Sequence, residues 1–237
     1  LKKSFLKFLN RTPTIGKAFL CVDDKETKKI IPRIKNKNFL TYGFSKEANF
    51  KIFNTIYKKD YSMFDLKISI RGLKKTVIRK IKLNLIGPHN VLNSASAIAL
   101  CLHIGIDIDV IKNALRKFTG IQRRLTKVFE VSGKEFFDDY AHHPTEIRSV
   151  LKSVRMTYVN RKIVSVFQPH RYSRLKLLKK DFTYSFKDSN LVILCPVYPA
   201  GEKINKEYDE IDFARLISKN SRVQVIIIKN EQDLRKF

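Results

Sequence analysis

From residue 134 to the end of the chain, short apolar runs alternate with amphipathic stretches of helical period. KEFFDD, KIVSVFQ, NLVILCPV and VQVIIIK read as strands, and PTEIRSVLKSVRMTY, SRLKLLKKDFTYSFK and YDEIDFARLISKN read as the helices between them. Strands separated by helical segments of this length predict right-handed βαβ units and a parallel sheet. In such a sheet the C-terminal ends of the strands share one edge, and ligands bind there.

Residues 1–119 have a different texture. KAFLCV reads as a strand, followed by Asp23-Asp24, a short helix and a stop near Pro32; NFLTYGF is a second strand ending in a glycine turn. Over 49–83 the period of two and the β-branched content predict antiparallel strands or hairpins. Gly87 opens GPHNVLNSASAIALCLHIG, whose small and apolar residues predict a buried helix over about 88–104, with Pro88 in its first turn and Gly105 beyond its end. A second helix, 109–118, follows an Asp cap. The expected architecture is α/β, with a domain boundary near 120–125 and a mostly parallel sheet in the second part.

Composition excludes several classes. Hydrophobic residues make up 43% of 237, enough for a packed core rather than disorder. No apolar run reaches the length of a membrane span, so no membrane insertion is expected. Cys21, Cys101 and Cys195 lie far apart, without the pairing that disulfide frameworks or structural zinc sites need, and fit buried thiols in the cytoplasm. The net charge of +26 raises nucleic-acid binding as an alternative. Its lysine pairs are scattered, however, at 2–3, 28–29, 58–59, 74–75 and 179–180, and no RNA-binding, zinc-finger or arginine-rich motif accompanies them. The expectation is no nucleic-acid partner, with the excess charge steering anionic ligands.

Three loops follow the first three strands of the second half: Asp138-Asp139-Tyr140-Ala141-His142-His143-Pro144, Gln168-Pro169-His170-Arg171-Tyr172-Ser173-Arg174 and Tyr198-Pro199-Ala200-Gly201-Glu202-Lys203. Their polar residues are the candidate site. The His142-His143 pair lacks the spacing and neighbours of a metal site, so no metal ligand is expected here. His143-Pro144 reads as a helix start with Glu146 in its first turn. Arg171 and Arg174 flank Ser173, read as an N-cap, and suit a carboxylate or phosphate. Asn90 and Asn93 share a helix face, where amides can read a nucleobase edge.

The strings GPHNVLNSASAIAL, GIQRR, FFDDYAHHPTEI, VFQPHRYSR and VYPAGE, in this order, resemble the Mur ligases, and IGKAFLCVDDKETKKIIPRI…LTYGF resembles part of that family's central domain. The closest pattern is that of the member joining L-alanine to UDP-N-acetylmuramate in peptidoglycan precursor synthesis. The member that recycles murein peptides is similar around DD(Y/F)AHHPT but is not expected to carry QPHRYSR. The resemblance implies a partial central ATPase-type domain, 1–122, then a Rossmann-like C-terminal domain with a mostly parallel sheet, 123–237, truncated at its end. It also implies ATP and Mg²⁺ as cofactors, a carboxylate activated as an acyl phosphate, and attack by the alanine amine. It implies that His89, Asn90 and Asn93 line the adenine pocket, and that Arg124 and Asp139 hold the ribose and phosphate end of ATP across the domain hinge. Arg123 competes with Arg124 for that assignment. Tyr140, His142, Arg171 and Arg174 would face UDP-N-acetylmuramate and L-alanine. No residue is identified as catalytic. The sequence departs from the family in having no GxxGK[ST] string. The UDP-binding domain and the Mg²⁺ ligands are expected before Leu1, which makes the chain a fragment, inactive alone, with a non-catalytic remnant as the other reading.

Overall fold

The structure, a computed structural model, describes residues 2–205 and 207–234; the expected outer domain limits, Leu1 and Phe237, lie outside them. The chain divides into two compact units, 1–119 and 120–237.

The first unit runs α1 (Lys2–Asn10), β1 (Ala18–Cys21), α2 (Lys25–Ile30) with a 3-10 turn Ile31–Arg33, β2 (Phe39–Gly43), β3 (Phe50–Tyr57), β4 (Ser62–Ile68), β5 (Thr76–Leu83), α3 (Pro88–His103) and α4 (Ile108–Lys117). Local chemistry sets the helix limits. The Asp24 carboxylate accepts from the Thr27 N–H at 2.7 Å to start α2, Asp107 does the same for α4 through Asp109, and Pro88 occupies the first turn of α3. One five-stranded sheet has the order β1-β2-β3-β4-β5. The expected antiparallel pairing holds for β3–β4–β5, whereas β1, β2 and β3 are parallel. A mixed sheet results because α2 and its 3-10 turn carry the chain from β1 back to the start of a parallel β2.

Strand alternation gives the parallel end of this sheet two apolar faces. Phe19, Leu40 and Tyr42 join the cluster under α3, built on Phe50, Ile52, Phe64, Leu66 and Ile81 against Val91, Ala95, Ile98 and Ala99. Ala18, Leu20 and Phe39 join a smaller cluster with Leu9 of α1, Ile30 of α2 and Ile34. The period of two breaks once in each of two strand pairs, between Phe53 and Ile56 and between Phe64 and Leu66. Asn54 and Lys80 sit there at φ +50° and +53°, and Asp65 bridges them.

The second unit runs β6 (Thr126–Val131), β7 (Lys134–Asp138), α5 (Pro144–Thr157), β8 (Val164–Phe167), α6 (Tyr172–Thr183), β9 (Leu191–Leu194), α7 (Glu210–Ser221), β10 (Gln224–Ile227) and α8 (Glu231–Leu234). β8, β9 and β10 form the parallel sheet, in the order β10-β9-β8. KEFFDD, expected as its first strand, is not in it. As β7 it pairs antiparallel with β6 in a separate two-stranded sheet. The reason is the turn: Ser132 and Gly133 both have positive φ, +48° and +71°, the two-residue geometry that closes a hairpin between Val131 and Lys134. Phe167, Val192 and Leu194 share one face of the parallel sheet and meet Ile147 and Leu151 of α5, Phe182 of α6, and Phe213 and Ile217 of α7 in a single core.

Candidate functional site

The loop after β7 is built on backbone hydrogen bonds to carboxylates. Asp139 accepts from the Ala141 N–H at 2.7 Å and the Leu125 N–H at 2.8 Å, so it ties the loop to the segment before β6. Its carboxyl is pushed up by burial, only partly countered by those two N–H groups and by Arg124. His143 caps α5: its Nδ1 accepts from the Thr145 N–H at 3.3 Å, while Glu146 accepts from the His142 and His143 N–H groups at 3.1 and 3.2 Å. Burial would raise the Glu146 carboxyl, but those donors, His142 and Arg124 hold it below its ordinary value. His143, Pro144 and Glu146 therefore start the helix, as the sequence indicates.

The two neighbouring arginines separate. Arg123, at φ +59°, donates to Asp138 at 3.2 Å, and its guanidinium lies 5.0 Å from the centre of the Tyr140 ring. Arg124 reaches Glu146 at 3.9 Å, on the side of Asp139.

The loop after β8 differs from its sequence reading at one residue. Ser173 is not the N-cap of α6: that position is Arg171, at φ +73°, with no side-chain cap, and Ser173 lies inside the first turn. What satisfies that turn is Glu202, whose carboxylate accepts from the Ser173 N–H at 3.0 Å and from the Ser173 hydroxyl. A serine cap is locally legible; a carboxylate arriving from 29 residues away is not. The Glu202 carboxyl is held below its ordinary value by the Ser173 hydroxyl first, then by the Ser173 N–H.

Although β7 is outside the parallel sheet, its loop meets the other two. The Tyr140 and His142 ring centres are 4.9 Å apart, His142 and His170 5.9 Å, and His170 and Tyr198 5.5 Å, a file of four rings drawn from all three loops. A parallel bridge pairs His170 with Tyr198, and Arg171 donates its N–H to the Tyr198 carbonyl at 2.9 Å. Arg174 lies beside the file, its guanidinium 3.3 Å from His170 Nδ1. Burial first, then Arg174, His142 and Arg171, lowers the His170 pKa, which favours a neutral imidazole with Arg174 supplying the positive charge. The arrangement offers ring faces, the His170 imidazole beside Arg174, and guanidiniums for carboxylate or phosphate.

Tyr140, His142, Arg171 and Arg174 are thus gathered in one place, and Arg124 reaches the same Glu146 carboxylate that lies 3.8 Å from His142 Nδ1. His89, Asn90 and Asn93 belong to the first unit, at the start of α3. Asn90 donates its amide to the Ile86 carbonyl at 2.9 Å, His89 is half-buried and Asn93 is exposed. The file also includes His170 and Tyr198, which the sequence names as loop residues without a role. Glu202 was likewise named only as a residue of the third loop, without a role. Among the described residues no three His, Cys, Asp or Glu side chains come together as a metal site.

The profile of the Mur ligase middle domain matches residues 1–101, and that of the Mur ligase glutamate ligase domain matches residues 123–236. A UDP-N-acetylmuramate–L-alanine ligase of Pelagibacter ubique is 49% identical over all of this chain and 51% of its own length. One from Brachyspira hyodysenteriae is 43% identical over 85% of the chain and 43% of its own length. The chain therefore spans about half the length of the curated relatives it matches. A UDP-N-acetylmuramate–alanine ligase structure from Thermotoga maritima superposes with a TM-score of 0.70 at 22% identity, covering 99% of this chain and 47% of that one, which shows the shared fold. The folylpolyglutamate synthase of Mycobacterium tuberculosis shares it too, with a TM-score of 0.72 at 15% identity, 99% of this chain and 50% of that one. With one profile on each unit and relatives matching along the whole chain, this protein belongs to the Mur ligase family.

Proposed function

We propose that this chain is part of an ATP-dependent ligase that joins L-alanine to UDP-N-acetylmuramate in peptidoglycan precursor synthesis. The observation that carries the reading is 49% identity, along the whole chain, to a relative named for that reaction. The loop cluster supplies fitting chemistry. Arg171 and Arg174 suit the carboxylate of the incoming amino acid, and Tyr140 and His142 offer ring faces to the nucleotide-sugar. Arg124 and Asp139 are assigned to ATP, as are His89, Asn90 and Asn93 on the first unit. In this reading ATP supplies the phosphoryl group that activates the muramoyl carboxylate as an acyl phosphate. The chain's own residues bind and orient: they hold the alanine carboxylate and place its amine for attack. Mg²⁺ belongs to this reading as a cofactor, and no step is assigned to it. We place the boundary between the two parts at 122/123 and the activity in the cytoplasm.

The test is ADP release by the complete gene product, measured with each substrate omitted in turn. Release should require both UDP-N-acetylmuramate and L-alanine. Release with a murein tripeptide but not with alanine would replace this reading with peptide recycling. The 237-residue chain alone, which contains no GxxGK[ST] string, should release none.

A further inference from the structure

The turn 199–202 is unusual for its residues. The Glu202 N–H donates to the Pro199 carbonyl at 3.1 Å, closing a turn whose central residues, Ala200 and Gly201, have φ of +50° and +85°. Two successive positive-φ positions suit glycine or asparagine, and alanine there is unfavourable. Across from it, Arg171 also holds a positive φ, +73°. Backbone strain of this kind persists only where surrounding contacts over-determine it.

Those contacts grip the turn at both ends. Before it, the Tyr198 N–H donates to the Pro169 carbonyl at 2.8 Å and the Tyr198 carbonyl accepts from Arg171 at 2.9 Å. After it, the Glu202 carboxylate takes both donors of Ser173. The first grip is made by backbone groups alone. The second depends on one carboxylate.

We propose that Glu202 is a positioning residue of the ligase site: by clamping the 198–202 turn to the first turn of α6 it holds Tyr198 against His170, and holds Arg171 and Arg174 where they meet the substrate carboxylate. The inference rests on the function proposed above. Glu202 itself touches Ser173 rather than the substrate, and it acts through the two arginines and the ring file.

In the complete gene product, Glu202→Ala should raise the KM for L-alanine by about tenfold or more, the scale expected when a binding group is displaced by part of an ångström. The KM for ATP and the melting temperature should stay close to wild type. Glu202→Gln, whose amide oxygen still accepts from the Ser173 N–H, should recover most of the loss. Ser173→Ala removes only the hydroxyl, so its effect should be smaller and not additive with Glu202→Ala. An unchanged alanine KM in Glu202→Ala, or an equal rise for ATP, overturns the proposal. If wild-type protein shows no alanine-dependent ADP release, the ligase reading fails and the clamp is judged by NMR alone. Glu202→Ala should then lose the nuclear Overhauser contact between the Tyr198 and His170 rings and speed hydrogen exchange at the Ser173 amide. Retention of both overturns it.

Discussion

The Asp65 carboxylate is buried on β4, between β3 and β5, where an unpaired charge would cost roughly several kcal/mol. It is tolerated because it takes the Lys80 N–H at 2.8 Å and the Asn54 amide at 3.0 Å, with Arg79 at 3.6 Å. Both hydrogen-bonding partners sit at positive φ in the bulges, so one side chain fixes two irregularities. Asp65→Ala should lower stability by about 2–3 kcal/mol, read as a shift in the urea midpoint. Burial alone would raise the Asp65 carboxyl, but the Lys80 N–H, Asn54 and Arg79 together hold it below its ordinary value. Its stabilisation is therefore present above the unfolded pKa of about 4 and is lost as pH falls through the lower folded value. Asp65→Asn should flatten the acid limb of a stability–pH curve. At the site, Arg174 differs from its neighbours in contacting His170 through both the ring and the carbonyl oxygen, at 3.3 and 3.4 Å. Arg174→Ala in the complete gene product should raise the KM for alanine or the nucleotide-sugar by roughly 10- to 100-fold, the worth of a charged hydrogen bond. Equal loss of ATP affinity would show that its role is different.

At the scale of elements, α5 shows how a motif with two histidines divides its labour. His143 accepts from the Thr145 N–H and shares Glu146 with His142, so its ring is spent on the helix end. His142 instead lies in the ring file, edge-on to Tyr140 and tilted against His170, with its Nδ1 2.8 Å from the Tyr140 carbonyl. His143→Ala should cost about 1 kcal/mol of stability, and His143→Asn or His143→Ser should restore it, since each keeps a capping acceptor. His142→Ala should spare stability and impair substrate use. A thermal melt beside a kinetic assay separates the two, and the reverse pattern would reassign both residues. The hairpin β6–β7 was legible in principle. Ser132-Gly133 between TKVFEV and KEFFD is a two-residue turn signal, but the helix following β7 made it look like one more strand of a βαβ series. α6 is less regular than its sequence suggests: Leu178, at φ −117° and ψ 18°, interrupts it.

At the scale of the molecule, each unit has its own apolar core, one around Phe64, Leu66 and Ile98 and one around Phe167, Val192 and Phe213. The connection between them is exposed at Phe118 and Ile121 and carries positive φ at Gly120, Arg123 and Leu125. Limited trypsin digestion should cut first after Lys117 or Arg123, yielding two fragments of similar size that resist further cleavage, read by mass spectrometry. Early cuts inside β3–β5 or α5–α7 would show that these units do not persist separately. The excess of positive charge, +26 over the chain, leaves both units suited to anionic ligands without naming them.

The sequence by itself determined what depends on neighbours a few residues away. Pro88 and Gly105 bracket α3, Asp24 and Asp107 start α2 and α4, His143-Pro144 starts α5, and the period of two marks β3 to β5. The tertiary structure decided what depends on partners distant in the chain. It made β2 and β3 parallel, put β7 in a hairpin, bridged two bulges with Asp65, and brought Glu202 to Ser173 and Tyr198 to His170. The physical reason is that a helix end or a strand's alternation is written in local hydrogen bonds and steric preference. Strand pairing and side-chain clamps between loops are chosen by which distant donors and acceptors the folded core leaves facing each other.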